Sequence, residues 1–187
     1  MIDIYEKCPT LENDNFLLRL IDEKDAKDLL EVYGNKETLP YFNSDNCNGD
    51  NFYYPTEARM LKAIKFWLWE YENKVYIRFS IINKEDNKAI GTIELFNRRS
   101  KYYYNDCGIL RLDVRSDYEN LPLLYEIMTI ILEPAYTLFG CSMIATKAAI
   151  YAMERVRVLE KMGFQKSKRH LIGKYDTYGD YWIIKKG

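Results

Sequence analysis

The sequence has few of the residues that build metal and nucleophilic sites. Its 187 residues include one histidine, His170, and four cysteines, Cys8, Cys47, Cys107 and Cys141, none in a CxxC pair. No Cys or His residues have the spacing of a metal site, so we expect no bound metal. We expect free thiols in a cytoplasmic protein, while four distributed cysteines also permit disulfides in an oxidising compartment.

Charge of one sign and long apolar runs are also missing. Lys and Arg total 27 and Asp and Glu total 28, which gives no electrostatic reason to expect a nucleic acid or an anionic membrane as partner. No apolar run reaches the roughly 18 residues that span a bilayer. The first residues lack the hydrophobic region of a signal peptide. We expect no nucleic acid and no membrane partner, and a monomer or a homodimer.

The residues that are abundant indicate a globular protein. Hydrophobic residues make up 48% of the chain, charged residues 29% and aromatic residues 15%, including 17 tyrosines. Tyrosine suits both half-buried strands and the walls of clefts. The length and the absence of a linker predict a single domain over residues 1–187.

The hydrophobic pattern predicts a mixed α/β fold. After a lead-in over residues 1–13, an antiparallel meander is followed by a βαβ unit and a C-terminal hairpin. Pro134 should end or kink the third helix, because proline removes one backbone hydrogen bond. The predicted strands are 16–21, 75–83, 88–97, 106–114, 143–147, 164–172 and 175–185, the last two turning at Gly173. The predicted helices are 23–33, 57–71, 122–138 and 152–162, and residues 36–55 form a long loop.

The last helix has a clear apolar stripe and a clear end. Ala152, Val156, Leu159 and Met162 recur at the spacing of one helical face, and Arg155 falls largely outside that stripe. Gly163 follows, as expected for a residue that ends a helix in the left-handed conformation. A strand should therefore begin close after this glycine.

Several segments in this order resemble the GNAT N-acetyltransferase family, especially its ribosomal-protein and small-amine branch. They are LRLIDEKDA at residues 18–26, AIGTIE at 89–94, Glu126, and VLEKMGF at 158–164. The resemblance covers nearly the whole chain and implies the single-domain GNAT fold. It also implies acetyl-CoA as co-substrate and direct transfer of the acetyl group to an amine of a small molecule or a protein N-terminus.

The resemblance also implies where acetyl-CoA would bind. In this family the pantetheine arm lies in a gap between the strands that correspond to 106–114 and 143–147, and the pyrophosphate lies at the N-terminus of the next helix. A helix N-terminus offers unpaired N–H donors and a partial positive charge. The cofactor-binding residues implied here are Leu112, Val114, Asn120, Leu121, Leu123 and Arg155.

The phosphate loop departs from the family pattern Arg/Gln-x-x-Gly-x-Gly/Ala. Residues 115–123 contain no glycine, and Asn120 and Pro122 stand at the two glycine positions. Pro122 removes one donor, and Glu119 places a negative charge where a basic residue is usual. If Glu119 points inward it weakens the binding of a polyanion, and if it points to solvent it has little effect.

The last helix departs from the family pattern as well. Ala152 and Arg155 stand where the family often has asparagine and serine, and Leu159 stands where some branches have a tyrosine acid. Arg155 could bind the phosphates or lie on a solvated helix face. This helix therefore marks the architecture more clearly than the activity.

The candidate catalytic residues are carboxylates on two central strands. Glu94 and Asp113 could deprotonate an amine if partial burial raises their pKa, although a carboxylate at such a position is more often a surface strand residue. N–H groups at Leu112 and Val114 could polarise the thioester carbonyl. Candidate substrate-binding residues are aromatic: Tyr41, Phe42 and Trp67, the last of which is also a natural core residue. We expect the acceptor to enter between the long loop, the second helix and the final hairpin.

Two hypotheses remain open at this point, together with a minor one. The first is an acetyl-CoA-dependent N-acetyltransferase. The second is a catalytically silent GNAT-fold module that binds a ligand or partner through the aromatic cleft. A nucleophilic pair of His170 with Cys107 or Cys141 has no supporting motif.

Overall fold

The strands form one eight-stranded mixed sheet with a two-stranded sheet beside it. The computed structural model describes residues 3–187, so Met1 and Ile2, part of the predicted lead-in, lie outside the described residues. The strands are β1 (Leu11–Glu12), β2 (Phe16–Leu20), β3 (Ile77–Asn83), β4 (Lys88–Arg98), β5 (Cys107–Val114), β6 (Met143–Lys147), β7 (Gln165–Lys166), β8 (Leu171–Ile172), β9 (Thr177–Tyr178) and β10 (Tyr181–Lys185). The α-helices are α1 (Ala26–Tyr33), α2 (Glu57–Glu72), α3 (Leu121–Phe139) and α4 (Met153–Lys161).

The sheet confirms the predicted meander and βαβ unit. Its strand order is β1-β2-β3-β4-β5-β6-β10-β7, with β8 and β9 forming the small second sheet. Neighbouring strands from β1 to β5 are antiparallel, and β5 and β6 are parallel neighbours joined through α3. A parallel pair needs such a crossover connection, which explains why a long helix lies between these two strands.

The two faces of the central strands have different chemistry, because successive side chains point to opposite faces. One face is apolar and packs against α3 and α4 in the main core. The other face lies beneath α1 and α2 and is polar. Its polar residues occupy matching positions of three neighbouring strands: Arg78, Ser80, Thr92, Glu94, Arg111 and Asp113.

The helix α3 runs through Pro134, in agreement with the predicted bounds 122–138, so of the two predicted effects of Pro134 an ending is wrong and a kink stays a prediction. The helix runs on to Phe139 and closes at Gly140, which has a left-handed φ of 58°. Ile131 and Ala135 are buried on either side of Pro134, so core packing outweighs the one lost hydrogen bond. By length and composition alone α3 could also cross a membrane, but its buried face forms part of the core.

The C-terminal hairpin is interrupted, which differs from the prediction. Strands β7 and β10 pair antiparallel, while β8 and β9 pair separately around a turn in which Gly173 N donates to Asp176 O at 2.8 Å. The Ser167 hydroxyl accepts a hydrogen bond from Arg169 N, and Asp180 has a φ of 59°. These two local features bend the chain out of a continuous ladder.

Candidate functional site

A cavity of about 580 Å³ lies between α2, residues 46–54 and the polar face of β4 and β5. One face of α2, from Arg59 to Glu70, forms a wall of it. The final hairpin does not contribute to its lining, in contrast to the prediction. Six aromatic residues line the cavity: Phe52, Tyr54, Phe66, Trp67, Tyr76 and Phe96.

The three predicted substrate-binding residues do not come together. Trp67 lines the cavity and is also a buried core residue, with the Arg78 guanidinium 4.0 Å from its ring centre. Phe42 is buried against Tyr33, with ring centres 5.2 Å apart. Tyr41 lies instead beside the start of α4, against Tyr151. A substrate contact stays a prediction for all three residues, and only Trp67 is placed to make one in the cavity.

Glu94 lies at the floor of the cavity and is held by two arginines. Its carboxylate accepts a hydrogen bond from Arg111 Nη1 at 2.7 Å and a second one from Arg78 Nη2. Its side chain is 2% exposed. Each carboxylate oxygen is thus already occupied by a guanidinium group. Its role as a general base stays a prediction, and these surroundings argue against it.

Asp113 lies on the same polar face but outside the lining of the cavity. Its Oδ2 accepts hydrogen bonds from Tyr33 Oη at 2.9 Å and Arg78 Nη1 at 3.3 Å, and its side chain is 1% exposed. Burial raises the pKa of the Asp113 carboxyl, while the Arg78 charge opposes that rise. A base must reach the proton that it abstracts, and this carboxylate faces the protein interior. The proposed catalytic role is therefore not supported by its position.

Glu70 is a cavity carboxylate that the sequence did not single out. Within residues 3–187 its side chain forms no ion pair, whereas Asp50 in the same lining pairs with Arg59 at 3.1 Å. Desolvation and the nearby charge of Glu94 raise the pKa of the Glu70 carboxyl. A raised pKa means that the ionised form of this carboxyl is disfavoured, and a neighbouring cation would stabilise that form.

The gap between β5 and β6 that the resemblance implies is present. The two strands pair only from Cys107 to Leu110, and the rest of β5 pairs with β4 alone. Arg115 N donates to Ile90 O on the β4 side, so the N–H groups of Leu112 and Val114 point the other way, toward the gap. These N–H groups therefore face the gap, and cofactor binding by Leu112 and Val114 stays a prediction.

Arg155 fills this gap. Its Nη1 donates to Leu112 O at 2.7 Å and to Tyr41 O at 2.9 Å, and its guanidinium also forms an ion pair with Glu119. Both side chains of the pair are 8% exposed, so the expectation of a solvated Arg155 is wrong. The space left beside Leu112 is about 20 Å³, enough for one water molecule.

The N-terminus of α3 is already capped by groups of the chain itself. Asn120 Oδ1 accepts from Leu123 N at 3.2 Å, and Glu154 Oε2 accepts from Leu121 N at 2.9 Å. Pro122 has no N–H to offer. The first turn therefore keeps no free donor for a phosphate, and Glu119 and Glu154 place two carboxylates near it.

The residues present do not fit acetyl-CoA in this arrangement. The phosphate donors are taken by Asn120 and Glu154, and the Arg155 side chain occupies the path of the pantetheine arm. Cofactor binding at Asn120, Leu121, Leu123 and Arg155 stays a prediction, and it requires these contacts to open.

The alternative nucleophilic pair has no support in the arrangement of its residues. His170 is exposed, whereas Cys107 and Cys141 are buried. Burial raises the pKa of the Cys107 thiol to about 12, which removes its thiolate at neutral pH. All four cysteines are free thiols. Among residues 3–187 no group of three or more His, Cys, Asp and Glu side chains is placed to hold a metal ion.

Sequence reasoning missed Arg78, Glu70 and the pairing of Arg155 with Glu119. A signal for Arg78 was available, because a single arginine alternates with apolar residues in a predicted strand beside acidic ones. The ion pair had no such signal, since its residues are 36 positions apart and meet only in the folded chain.

Comparison with known protein families identifies a family whose fold agrees with the observed sheet order. The model of the acetyltransferase (GNAT) domain matches residues 15–165. No curated protein sequence matches the chain significantly.

Solved structures resemble the fold over nearly the whole chain. An acetyltransferase of the GNAT family from Bacillus anthracis is 16% identical, with a TM-score of 0.68 and coverage of 95% of this chain and 98% of the other. Ribosomal-protein-S5-alanine acetyltransferase from Vibrio fischeri is 16% identical, with a TM-score of 0.69 and coverage of 95% and 96%.

A third structure, spermidine N-acetyltransferase from Vibrio cholerae in complex with CoA and spermine, is 15% identical, with a TM-score of 0.65 and coverage of 92% and 96%. Such low identities show a common fold and leave the chemistry to be argued from this chain's own residues. The family match covers most of the chain, and the fold and the gap between β5 and β6 agree with it. This protein therefore belongs to the GNAT acetyltransferase family.

Proposed function

We propose that this member of the GNAT family is a ligand-binding module that takes an amine, from a small molecule or a peptide, into the cavity beside α2. The observation that carries the proposal is the contrast between two spaces in the same fold. The cavity beside α2 measures about 580 Å³, while the space left in the gap beside Leu112 measures about 20 Å³. A module that binds an amine without acetyl-CoA needs only the first.

The charges of the cavity favour a cation at its Glu70 end. Arg78 and Arg111 balance Glu94 and Asp113, so the floor carries no net charge. Asp50 pairs with Arg59, which leaves Lys62 and Glu70 as the lining charges without an ion-pair partner among residues 3–187, and Glu70 is the carboxylate of the two. Phe66 and Trp67 lie on the same wall, and aromatic rings attract ammonium groups. The complex of spermidine N-acetyltransferase with spermine is consistent with such a ligand class.

Calorimetric titration with a panel of primary amines, diamines and short peptides tests this proposal. We expect saturable binding of at least one amine, weakened about tenfold or more by Glu70→Gln because the variant loses the charge contact. Glu72→Gln is the matched control, since Glu72 is exposed on the same helix and does not line the cavity. Equal affinities of the two variants, or no amine binding at all, would contradict the proposal.

Acetyl transfer is the second candidate function. The observation in its favour is that β5 and β6 separate after Leu110, with the N–H groups of Leu112 and Val114 facing the gap. For this function the Arg155 side chain has to leave the gap before acetyl-CoA enters. Release of the CoA thiol in the presence of acetyl-CoA and the amine panel would establish this candidate over the first.

A further inference from the structure

The ion pair between Arg155 and Glu119 joins three parts of the fold at one point. Arg155 is on α4, and Glu119 lies just before α3. The guanidinium donates to Glu119 from both Nε and Nη2, and from Nη1 to the carbonyl oxygens of Leu112 and Tyr41. Strand β5, the start of α3 and the loop around Tyr41 are therefore tied to α4 by one side chain.

These contacts use the polar groups that a bound carrier would use. The Leu112 carbonyl belongs to the part of β5 that has no partner strand on the gap side. A buried carbonyl needs a donor, and here the Arg155 guanidinium supplies it. The Glu119 carboxylate neutralises the guanidinium, so the gap is closed by a pair that leaves no charge uncompensated.

We infer that the Arg155–Glu119 ion pair is an internal occupant of the acyl-carrier slot and excludes acetyl-CoA from the native protein. The first turn of α3 is sealed in the same way, because Glu154 from α4 accepts the N–H of Leu121. Helix α4 therefore supplies both a guanidinium to the gap and a carboxylate to the helix end. This inference depends on the gap alone and does not depend on the ligand proposed for the cavity.

The pair also explains how the slot stays closed without a ligand. Separating the two charges would leave each one buried and unpaired, which is far more costly than breaking an exposed ion pair. The binding free energy of acetyl-CoA must offset the cost of that separation. Its phosphates must also approach the carboxylates of Glu119 and Glu154. A carboxylate close to the phosphates substantially lowers the affinity of the protein for acetyl-CoA at the effective dielectric of a protein surface.

The inference is tested by removing both members of the pair together. The variant Arg155→Ala/Glu119→Ala opens the gap and leaves no unpaired charge behind. The control Glu160→Ala/Lys161→Ala removes one charge of each sign from the exposed side of the same helix. Each protein is titrated with acetyl-CoA by calorimetry, and its folding is checked by circular dichroism and thermal unfolding.

We expect no saturable heat for the wild type and the control at millimolar acetyl-CoA, and saturable binding for the opened variant. The gain should be at least about tenfold, because the double variant removes the side chain that fills the gap together with the carboxylate that faces the phosphates. Wild-type binding at micromolar affinity would overturn the inference. A folded double variant with no gain would overturn it as well.

The single variant Glu119→Gln provides a second measurement should the double variant not fold. It keeps a hydrogen-bond acceptor for Arg155 while removing the carboxylate charge, and it leaves the guanidinium free to pair with phosphate. We expect tighter binding of acetyl-CoA than in the wild type. An unchanged affinity would show that the pair is not the barrier.

Discussion

At the scale of single residues, Arg78 holds together the polar face of the sheet. Its guanidinium contacts Glu94 and Asp113, and the ring of Trp67 lies 4.0 Å from it. Two buried carboxylates on neighbouring strands would repel each other without this cation. The packing of the aromatic side chains of α1 and α2 on this face therefore depends on Arg78.

Replacing Arg78 by methionine should destabilise the protein strongly. We expect a loss of about 3–5 kcal/mol in the free energy of unfolding, because Glu94 and Asp113 lose a buried partner. Arg157→Met is the matched control, since Arg157 is exposed on α4 and pairs with Glu154 at the surface. That control should lose only about 0–1 kcal/mol. Urea unfolding of both variants measures the difference, and similar losses in the two would contradict this account.

The binding of an amine should depend on pH through Glu70. Burial and the charge of Glu94 raise the pKa of this carboxyl above its ordinary value of 4.5. Above the raised pKa the carboxylate is ionised and attracts an ammonium group, and below it the carboxyl is neutral. Affinity should therefore fall as pH is lowered through that value, as calorimetry in a series of buffers can measure. A pH dependence that persists unchanged in Glu70→Gln would assign the effect to another group.

The sequence allows only part of the site to be predicted. Glu94 and Asp113 could be placed on one face of the sheet from the period of two along their strands. What could not be predicted is that Arg78 and Arg111 neutralise them, because this follows from the register of three strands. The position of Arg155 depends on how α4 packs against β5, which no local pattern encodes.

At the scale of elements, the beginning of α3 determines whether the protein can hold a phosphate. Asn120 acts as the N-cap, and its side chain and that of Glu154 take the donors of the first turn. In the family, this segment carries the phosphate-binding glycines. In this protein it follows the 3₁₀ turn Ser116–Tyr118 and provides the N-cap of α3. The helix end is stabilised by the chain itself rather than by a ligand.

Substitution of Asn120 by alanine should weaken this helix end. We expect a loss of about 1 kcal/mol in the free energy of unfolding, because Leu123 N loses its acceptor. Asn120→Asp is the control, since it keeps an oxygen at the same place and should remain close to the wild type. Thermal unfolding in parallel with the wild type measures both changes. If alanine proved as stable as aspartate, the capping role would be refuted.

Most elements follow from local patterns, and the exceptions have physical reasons. The strand β6 and the helices α2 and α4 lie within a residue or two of their predicted bounds, because periodicity and caps define them. The helix α3 continues through Pro134 because Ile131 and Ala135, on either side of it, are buried in the core. The final hairpin differs from the predicted continuous pair of strands because the chain turns at two single residues within it, Ser167 and Asp180.

At the scale of the whole molecule, the sheet carries two candidate sites, and each would serve a different function. The cavity beside α2 opens onto the polar face, while the gap between β5 and β6 is filled from α4. The fold of the acetyltransferase family is retained around both. The open cavity and the filled gap are the two observations on which the proposed amine-binding function rests.

We infer that the native protein carries no acetyl-CoA because the Arg155–Glu119 ion pair fills the gap between β5 and β6. Calorimetric titration of acetyl-CoA into the unmodified protein, with a thiol-release assay on the same sample, tests it most directly. We expect no saturable heat and no thiol release up to millimolar acetyl-CoA, with or without an amine. Saturable binding at micromolar concentration, followed by release of the CoA thiol, would contradict it.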